Sequence, residues 1–424
     1  MDAVNIRKPG PETLDLISAP WLTALGLALA AVFLWNSPSE FIFGGGETGV
    51  TAGRDGLNVW AAGKAALQGK AATLYDVDAY IRLLKDWRSQ DIGWHAWSYP
   101  PFLLLFLWPL GFFDYYPAFW IWMAGSFAVM AFALYAAFPN AKAAAAGVIL
   151  CALCSPAGLV NIWTGQNGFL VCGLFLSGLL LIDRRPLLAG ALFAILAFKP
   201  QMGLILPLAL IAGGYWRVIA ATVVTGVALV LLSAAVFGVD VWVEYVTQTL
   251  GYHVSVMERK EGLGPLMYPS AFKAAILLGW PPIIGYLLNA ATALFAAYGV
   301  IQVWRRSGVP REFRIAVLLL GSTLATPYLH NYDLTIAAAA ILLLAPGVKT
   351  VVERCVVIGV WMLPIIVMFT NASGVPTGPL FLTALFVVSL KIVRRSFPDE
   401  AAQGGEAFIA KACSLADRPR FTPR

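Results

Sequence analysis

Long apolar runs broken by brief polar punctuation set the pattern of this chain. They show no alternation of period two, so they predict helices rather than strands. The first lies at 20–38 and ends at Asn36-Ser37-Pro38. Others lie at about 99–111, 117–138, 143–160, 167–182, 187–199, 202–213, 216–237, 283–304, 313–330, 334–346, 351–370 and 378–393. Two polar segments interrupt them, 39–97 and 238–268, and residues 269–282 fit neither pattern. Inside the first polar segment a helical pattern starts at Asp55, with Trp60, Ala61, Lys64, Ala65 and Leu67 before a turn at Gly69-Lys70. A second amphipathic piece runs from Val77 to Trp87, with Tyr80, Leu83, Leu84 and Trp87 on one face. Both pieces are too short and too charged to span, and read as helices lying on a membrane surface.

Composition turns these runs into membrane segments. The chain is 59% hydrophobic and 12% charged, where a soluble domain carries roughly 25% charge. Its 15 Trp and 14 Tyr suit two interfacial belts. The net charge of +6 fits basic inner loops better than a nucleic-acid surface. Basic clusters at Arg184-Arg185, Arg217, Arg305-Arg306, Arg311, Arg314, Lys349 and Arg394-Arg395 are assigned to the cytoplasmic side by the positive-inside rule. Arg7 and Lys8 place the N-terminus there too, and their distance from the first apolar run argues against a cleavable leader.

The expected architecture is an all-α, polytopic transmembrane bundle. It has a cytoplasmic segment 1–19, a membrane domain 20–395 whose first outer loop is 39–97, and a cytoplasmic tail 396–424. Parity leaves about twelve spans, with 99–111 the run that does not cross. Several runs fall short of the roughly 20 residues a perpendicular helix needs, so half-spans and broken helices are expected among them.

Other motifs drop out. Gly44-Gly45-Gly46-Glu47-Thr48-Gly49 fits a dinucleotide-binding glycine pattern in letters alone, since no strand precedes it. Cys151 and Cys154, with Cys172, Cys355 and Cys413, offer no second pair for zinc or redox work and read as packing. Asn371-Ala372-Ser373 is a chance sequon.

The side chains left to explain share the outer side: Asp55, Gln166, Asn167, Lys199, Gln201, His253, Arg259, Lys260, Tyr328, His330, Asn331 and Asp333. An ionisable group at a span end is a functional candidate, because burying it unpaired is expensive. Each also has a plainer reading. Asp55 is placed to cap the helix behind it, as are Gln166 and Asn167 for theirs. Lys199 snorkels, Arg259 and Lys260 face water, and His330 caps a turn.

Gly53-Arg54-Asp55, Trp60-Ala61-Ala62, Leu74-Tyr75-Asp76, Tyr99-Pro100-Pro101-Phe102, Gly165-Gln166-Asn167, Phe198-Lys199-Pro200-Gln201 and Thr326-Pro327-Tyr328 with His330 occur in this order. Together they resemble glycosyltransferase family 87, over about residues 20 to 395. That family includes bacterial phosphatidylinositol-mannoside mannosyltransferases. The resemblance implies a multi-span GT-C fold and a polyprenyl-phosphate sugar donor, with mannose the favoured sugar. It implies a lipid or glycan acceptor and a site on the outer face of the inner membrane. Asp55 takes the general-base role of the first-loop aspartate, while His330 and Lys199 take those of the family's histidine and lysine. Broader GT-C relatives show an acidic pair in this loop. Here Gly56 follows Asp55, so no metal or other cofactor is assigned.

The chemistry is coherent without the family. Lys199, Arg259 and Lys260 are candidates to hold a donor phosphate at interface depth. Arg54, Gln166, Asn167, Gln201 and Tyr328 are candidates to bind substrate. A carboxylate within hydrogen-bond reach can take the proton of an attacking hydroxyl. One such carboxylate suffices for an inverting displacement, whereas retention would need a second nucleophile, for which Asp76, Asp78 and Asp333 are the weaker candidates. The competing function is a transporter or flippase, since Phe198-Lys199-Pro200-Gln201 between short runs looks like a broken transport helix. Against it, no internal repeat is visible and the polar groups collect on one side.

Overall fold

A computed structural model describes residues 28, 31–32, 53, 55–88, 95–139, 142–262 and 264–398. Arg54, nearly all of the first predicted span, the glycine-rich segment at 44–49, the 1–19 segment, Cys413 and nearly all of the tail lie outside the described residues.

The first polar segment supplies α1 (Gly56–Leu67) and α2 (Val77–Arg88), close to the two predicted pieces. There follow α3 (Tyr115–Ala137), α4 (Lys142–Leu153), α5 (Pro156–Thr164), α6 (Gly168–Leu181) and α7 (Pro186–Leu196). Next come α8 (Leu206–Ala212), α9 (Trp216–Phe237), α10 (Val239–Glu258), α11 (Ala271–Leu277) and α12 (Pro282–Arg305). The last four are α13 (Arg311–Ala325), α14 (Thr335–Leu344), α15 (Val351–Ala372) and α16 (Gly378–Ser396). Short turns join many of them, and no strand occurs among the described residues.

A helix that is apolar on every face belongs in a core. That holds for α13 from Ile315 onward and for all of α14, in which every residue is buried. They pack on each other, with α12 and α16 around α13. A second buried helix, α6, lies between α3 and α7. By contrast α9 exposes Val223, Val224, Leu231 and Leu232, the apolar outer surface expected of a lipid-facing helix.

The helix lengths do not support twelve spans. Among the described residues four helices, α3, α9, α12 and α15, are long and apolar enough to cross a membrane. The pair α4 and α5, bent by 53°, would make a fifth. Some of the other apolar runs are cut short by proline, which removes a backbone donor and clashes with the preceding turn. Pro200 ends the α7 run, and Ser155-Pro156 separates α4 from α5, with Ser155 Oγ capping α5 by accepting from the Gly158 amide at 3.0 Å. The run at 99–111 becomes short turns over 101–112 laid against α1. Their backbones nearly touch: a Cβ on Gly63 would stand 2.4 Å from the Leu107 carbonyl oxygen.

The segment 238–268, expected as a polar stretch, holds the 20-residue helix α10. Val241, Tyr245 and Thr249 recur at helical spacing along it and are buried or half-buried. Such a face is invisible to average hydropathy. The ambiguous stretch at 269–282 forms α11, capped by Ser270 Oγ, which accepts from the Lys273 amide at 3.2 Å.

The two ends of the helices differ in chemistry. Asp183, Tyr215, Trp304, Arg311 and Arg314 meet around a cavity of about 220 Å³, where the Tyr215 hydroxyl donates to Asp183 at 3.0 Å. Arg395 pairs with Glu353 at 2.8 Å. From this basic end α6, α7, α13 and α14 run to the opposite end, where Asn167, Lys199, His330 and Asp333 stand.

Candidate active site

Asp55 does not cap α1. Its side chain makes no hydrogen bond to the first-turn amides, and its backbone is already helical, with φ −81° and ψ −22°. Instead its Oδ2 accepts from Gln166 Nε2 at 2.8 Å, while its backbone N–H donates to the Thr164 carbonyl at 2.9 Å. The loop carrying the carboxylate is thus docked on the α5–α6 turn.

Glycine makes that docking possible. Gly165 ends α5 with φ +74°, and a Cβ there would lie 2.7 Å from the Gly56 nitrogen. A left-handed backbone with a side chain is strained, and here a clash adds to it. Gly165→Ala is expected to destabilise the protein by roughly 1–3 kcal/mol and to pull Gln166 from Asp55. A lowered melting temperature with reduced turnover checks this; a variant as stable and active as the parent would refute it.

The next residue, Asn167, faces another way. Its Nδ2 donates to the Tyr99 hydroxyl at 2.6 Å, and its Oδ1 accepts from Lys199 Nζ at 3.2 Å. Lys199 Nζ also donates to Asp333 Oδ1 at 2.5 Å and stands 4.7 Å from the centre of the Tyr332 ring. The second Asp333 oxygen accepts from the His330 amide at 3.1 Å. Lys199 and Asp333 are buried, with 2% and 0% exposure. A buried charge needs a partner and further hydrogen bonds, and this pair has both. Pro200 creates the position, because the break it forces puts Lys199 in a turn rather than on a helix face.

Above this floor lies a cavity of about 600 Å³. Asp55, Gln166, Lys199, Gln201, Arg259, Tyr328 and His330 all line its wall. Asn167 is buried just behind, as the link between Tyr99 and Lys199. Lys260 is exposed and stands outside the wall, and Arg54 lies outside the described residues. Among the described residues, no three His, Cys, Asp or Glu side chains are grouped as metal ligands would be.

Aromatic rings enclose the imidazoles. His330 sits against Tyr268, Tyr332 and Tyr328, with ring centres 4.0, 4.8 and 4.9 Å away. His253 meets Tyr328 at 5.0 Å. Burial pushes the pKa of both histidines below the usual imidazole value, and nearby Lys199 adds to the effect. Both are therefore neutral near pH 7. The folded protein takes these protons less readily than the unfolded chain, whose imidazoles titrate near about 6.5. Stability is thus expected to fall as pH drops below about 6.5. Melting curves across this range check it. His330→Gln with His253→Gln should shrink the acid-side loss, and an unchanged slope would rule the histidines out as its source.

Some residues of the site escape sequence reasoning. Lys273 is fully buried, donates from Nζ to the Met257 and Arg259 carbonyls at 2.5 and 2.8 Å, and stands 4.8 Å from the Tyr268 ring centre. It thereby pins the loop that presents Arg259. Burial pushes its pKa down to about 8, with Arg259 contributing. Its signal is a lone lysine in the otherwise apolar stretch 269–279. Asp333 stands out as the partner of Lys199 rather than as a second nucleophile. The roles of Tyr99, Tyr268 and Tyr332 carry no local signal.

A bundle of apolar helices around a buried polar floor, with a carboxylate, cations and imidazoles on one wall, defines a membrane-embedded protein with a site for a polar or charged group. Its family follows from comparison: residues 97–327 match the model of glycosyltransferase family 87. This is more than half of the chain, and the protein belongs to that family and is a membrane glycosyltransferase. Membership sets aside the transporter reading. The matched span contains Tyr99, Gln166, Lys199 and Arg259, whereas Asp55 and His330 lie outside it. No curated protein and no solved structure matches the chain.

Proposed function

We propose that the protein moves a sugar from a polyprenyl-phosphate donor to a hydroxyl of a lipid or glycan acceptor in one inverting displacement. The observation that carries this reading is a single cavity whose wall joins the Asp55 carboxylate with Arg259, Lys199 and three histidines, His95, His253 and His330. The acceptor oxygen attacks the anomeric carbon. The bond from that carbon to the phosphate oxygen breaks, and its electron pair leaves with the polyprenyl phosphate. Asp55 takes the hydroxyl proton, and its bond from Gln166 holds the carboxylate in place. Arg259 meets the phosphate as a guanidinium fork, and the neutral His330 donates or accepts one hydrogen bond there. Lys199 already serves Asn167 and Asp333, so it contributes positive charge and at most one further N–H.

Sidedness supports an extracytoplasmic site. The arginine-rich ends of α12, α13 and α16 lie across the helices from the cavity, and basic ends stay inside. Mannose is the sugar favoured by the sequence resemblance. The test is transfer by the purified protein from a panel of radiolabelled polyprenyl-phosphate sugars, with the product's anomeric configuration read by NMR. Inverted product from a lipid-linked donor is expected. Transfer from nucleotide sugars alone, or retained configuration, would overturn the proposal.

A further inference from the structure

Few side chains of α1 reach the cavity. Between Asp55 and Gly63 every residue is buried except Asp55 and Asn58, and these two line its wall. They stand three positions apart, so they are neighbours on one face of the first turn. Asn58 does not cap the helix. Its side chain makes one hydrogen bond among the described residues, across to α2, where the Tyr80 hydroxyl donates to Asn58 Oδ1 at 2.7 Å.

That bond fixes which way the amide points. Tyr80 is fully buried, and Asn58 is the partner of its hydroxyl. A sealed hydroxyl with a single partner gives its hydrogen to that partner, because a donor left unbonded in the interior is costly. Oδ1 is therefore committed to Tyr80, and Nδ2 with its two N–H groups takes the other side. Nδ2 has no partner among the described residues, and it is not one of the polar atoms that the protein seals from solvent. The wall thus carries, within one turn, a carboxylate that accepts and an oriented amide that donates.

Resting on the transferase reading above, we infer that Asn58 is a specificity-determining residue: its Nδ2 donates to a substrate hydroxyl or ether oxygen close to the oxygen that Asp55 deprotonates, and Tyr80 is its positioning residue. Neighbours at this helical spacing have Cβ atoms about 5–6 Å apart, close enough for two oxygens of one bound substrate to meet both. A neutral amide suits the place. A cation there would hold the Asp55 carboxylate in its charged form and weaken it as a base, and would compete with Arg259 for the phosphate. A site built to donate to one oxygen also rejects the analogue that lacks it, because the N–H is then left unpaired. That oxygen belongs to the transferred sugar or to the acceptor, and the chemistry that recognises it is the same.

The test is transfer by the purified full chain from polyprenyl-phosphate mannose, glucose, galactose and arabinose to the matching octyl glycosides. The best donor and acceptor are then compared with their monodeoxy forms. In the parent, one monodeoxy form should lower kcat/KM about three- to tenfold. Whether that form is a donor or an acceptor says which substrate carries the oxygen. Asn58→Leu should lower kcat/KM by a similar factor with the intact substrates and lose nothing further with that form. It also strands the Tyr80 hydroxyl, so its melting temperature should fall. Adding Tyr80→Phe removes the stranded group, and should restore the melting temperature without restoring the rate. Tyr80→Phe alone should narrow the discrimination against the deoxy form, since the amide is then free to turn over. Rate that returns with stability in the double variant would make Asn58 a structural partner of Tyr80 and overturn the inference. So would an Asn58→Leu variant that transfers as the parent does, or one that still discriminates against every deoxy form as the parent does. A parent that transfers from none of these donors would overturn the transferase reading, and the inference with it.

Discussion

Asp55→Asn is expected to slow sugar transfer by about 10²–10⁴-fold while the protein folds and inserts normally. The substitution is nearly isosteric. The amide oxygen that it introduces can still accept from Gln166 Nε2, so the loop keeps its anchor. What disappears is the capacity to take a proton. A purely structural role predicts the reverse, a lowered melting temperature with turnover preserved in the folded fraction. Turnover of a labelled donor, measured beside a melting curve, separates the two. Activity within about twofold of the parent would end the assignment of Asp55 as base.

The second large effect falls on stability. Lys199→Met would leave Asp333 fully buried without its cation, and removing one member of a buried pair costs about 3–5 kcal/mol. The loss spreads, because Asn167 would lose a donor to its Oδ1 in the same step. A low yield and a melting temperature well below the parent's are expected. Adding Asp333→Asn removes the stranded charge and should recover much of the loss. That recovery identifies charge burial, rather than the missing lysine stem, as the cause. A single variant that loses under about 1 kcal/mol would mean that the pair contributes little.

What the sequence discloses follows from the range of the interactions. The all-helical class was legible because apolar runs record the environment of each segment locally. α1 and α2 were legible from periodicity, and α10 carried the same signal at Val241, Tyr245 and Thr249 beneath a polar average. The number of spans was not legible, since Ser155-Pro156 cuts a run that hydropathy joins and several other runs form helices too short to cross. Seven of the proposed site residues meet at one cavity because they are polar groups at helix ends, which is a local property. Their partners are not local. Gln166 and Asp55 are 111 positions apart, and Lys199 and Asp333 are 134 apart. Nothing in either residue's neighbourhood names the other. Lys260 looked equal to Arg259 in sequence, yet the turn after α10 presents Arg259 to the cavity and Lys260 to the exterior.

The helices joining the basic end to the polar floor are short. α7 has 11 residues, α6 has 14 and α13 has 15. At 1.5 Å per residue they reach about 16 to 22 Å, against roughly 30 Å of hydrocarbon. With the basic end taken at one headgroup level, the floor lies several ångströms short of the other, at the bottom of a cavity sunk into one leaflet. Depth then sorts carriers: a headgroup on a long, pliable isoprenoid chain can sink to that level, while a sugar phosphate without a lipid tail has nothing to draw it down.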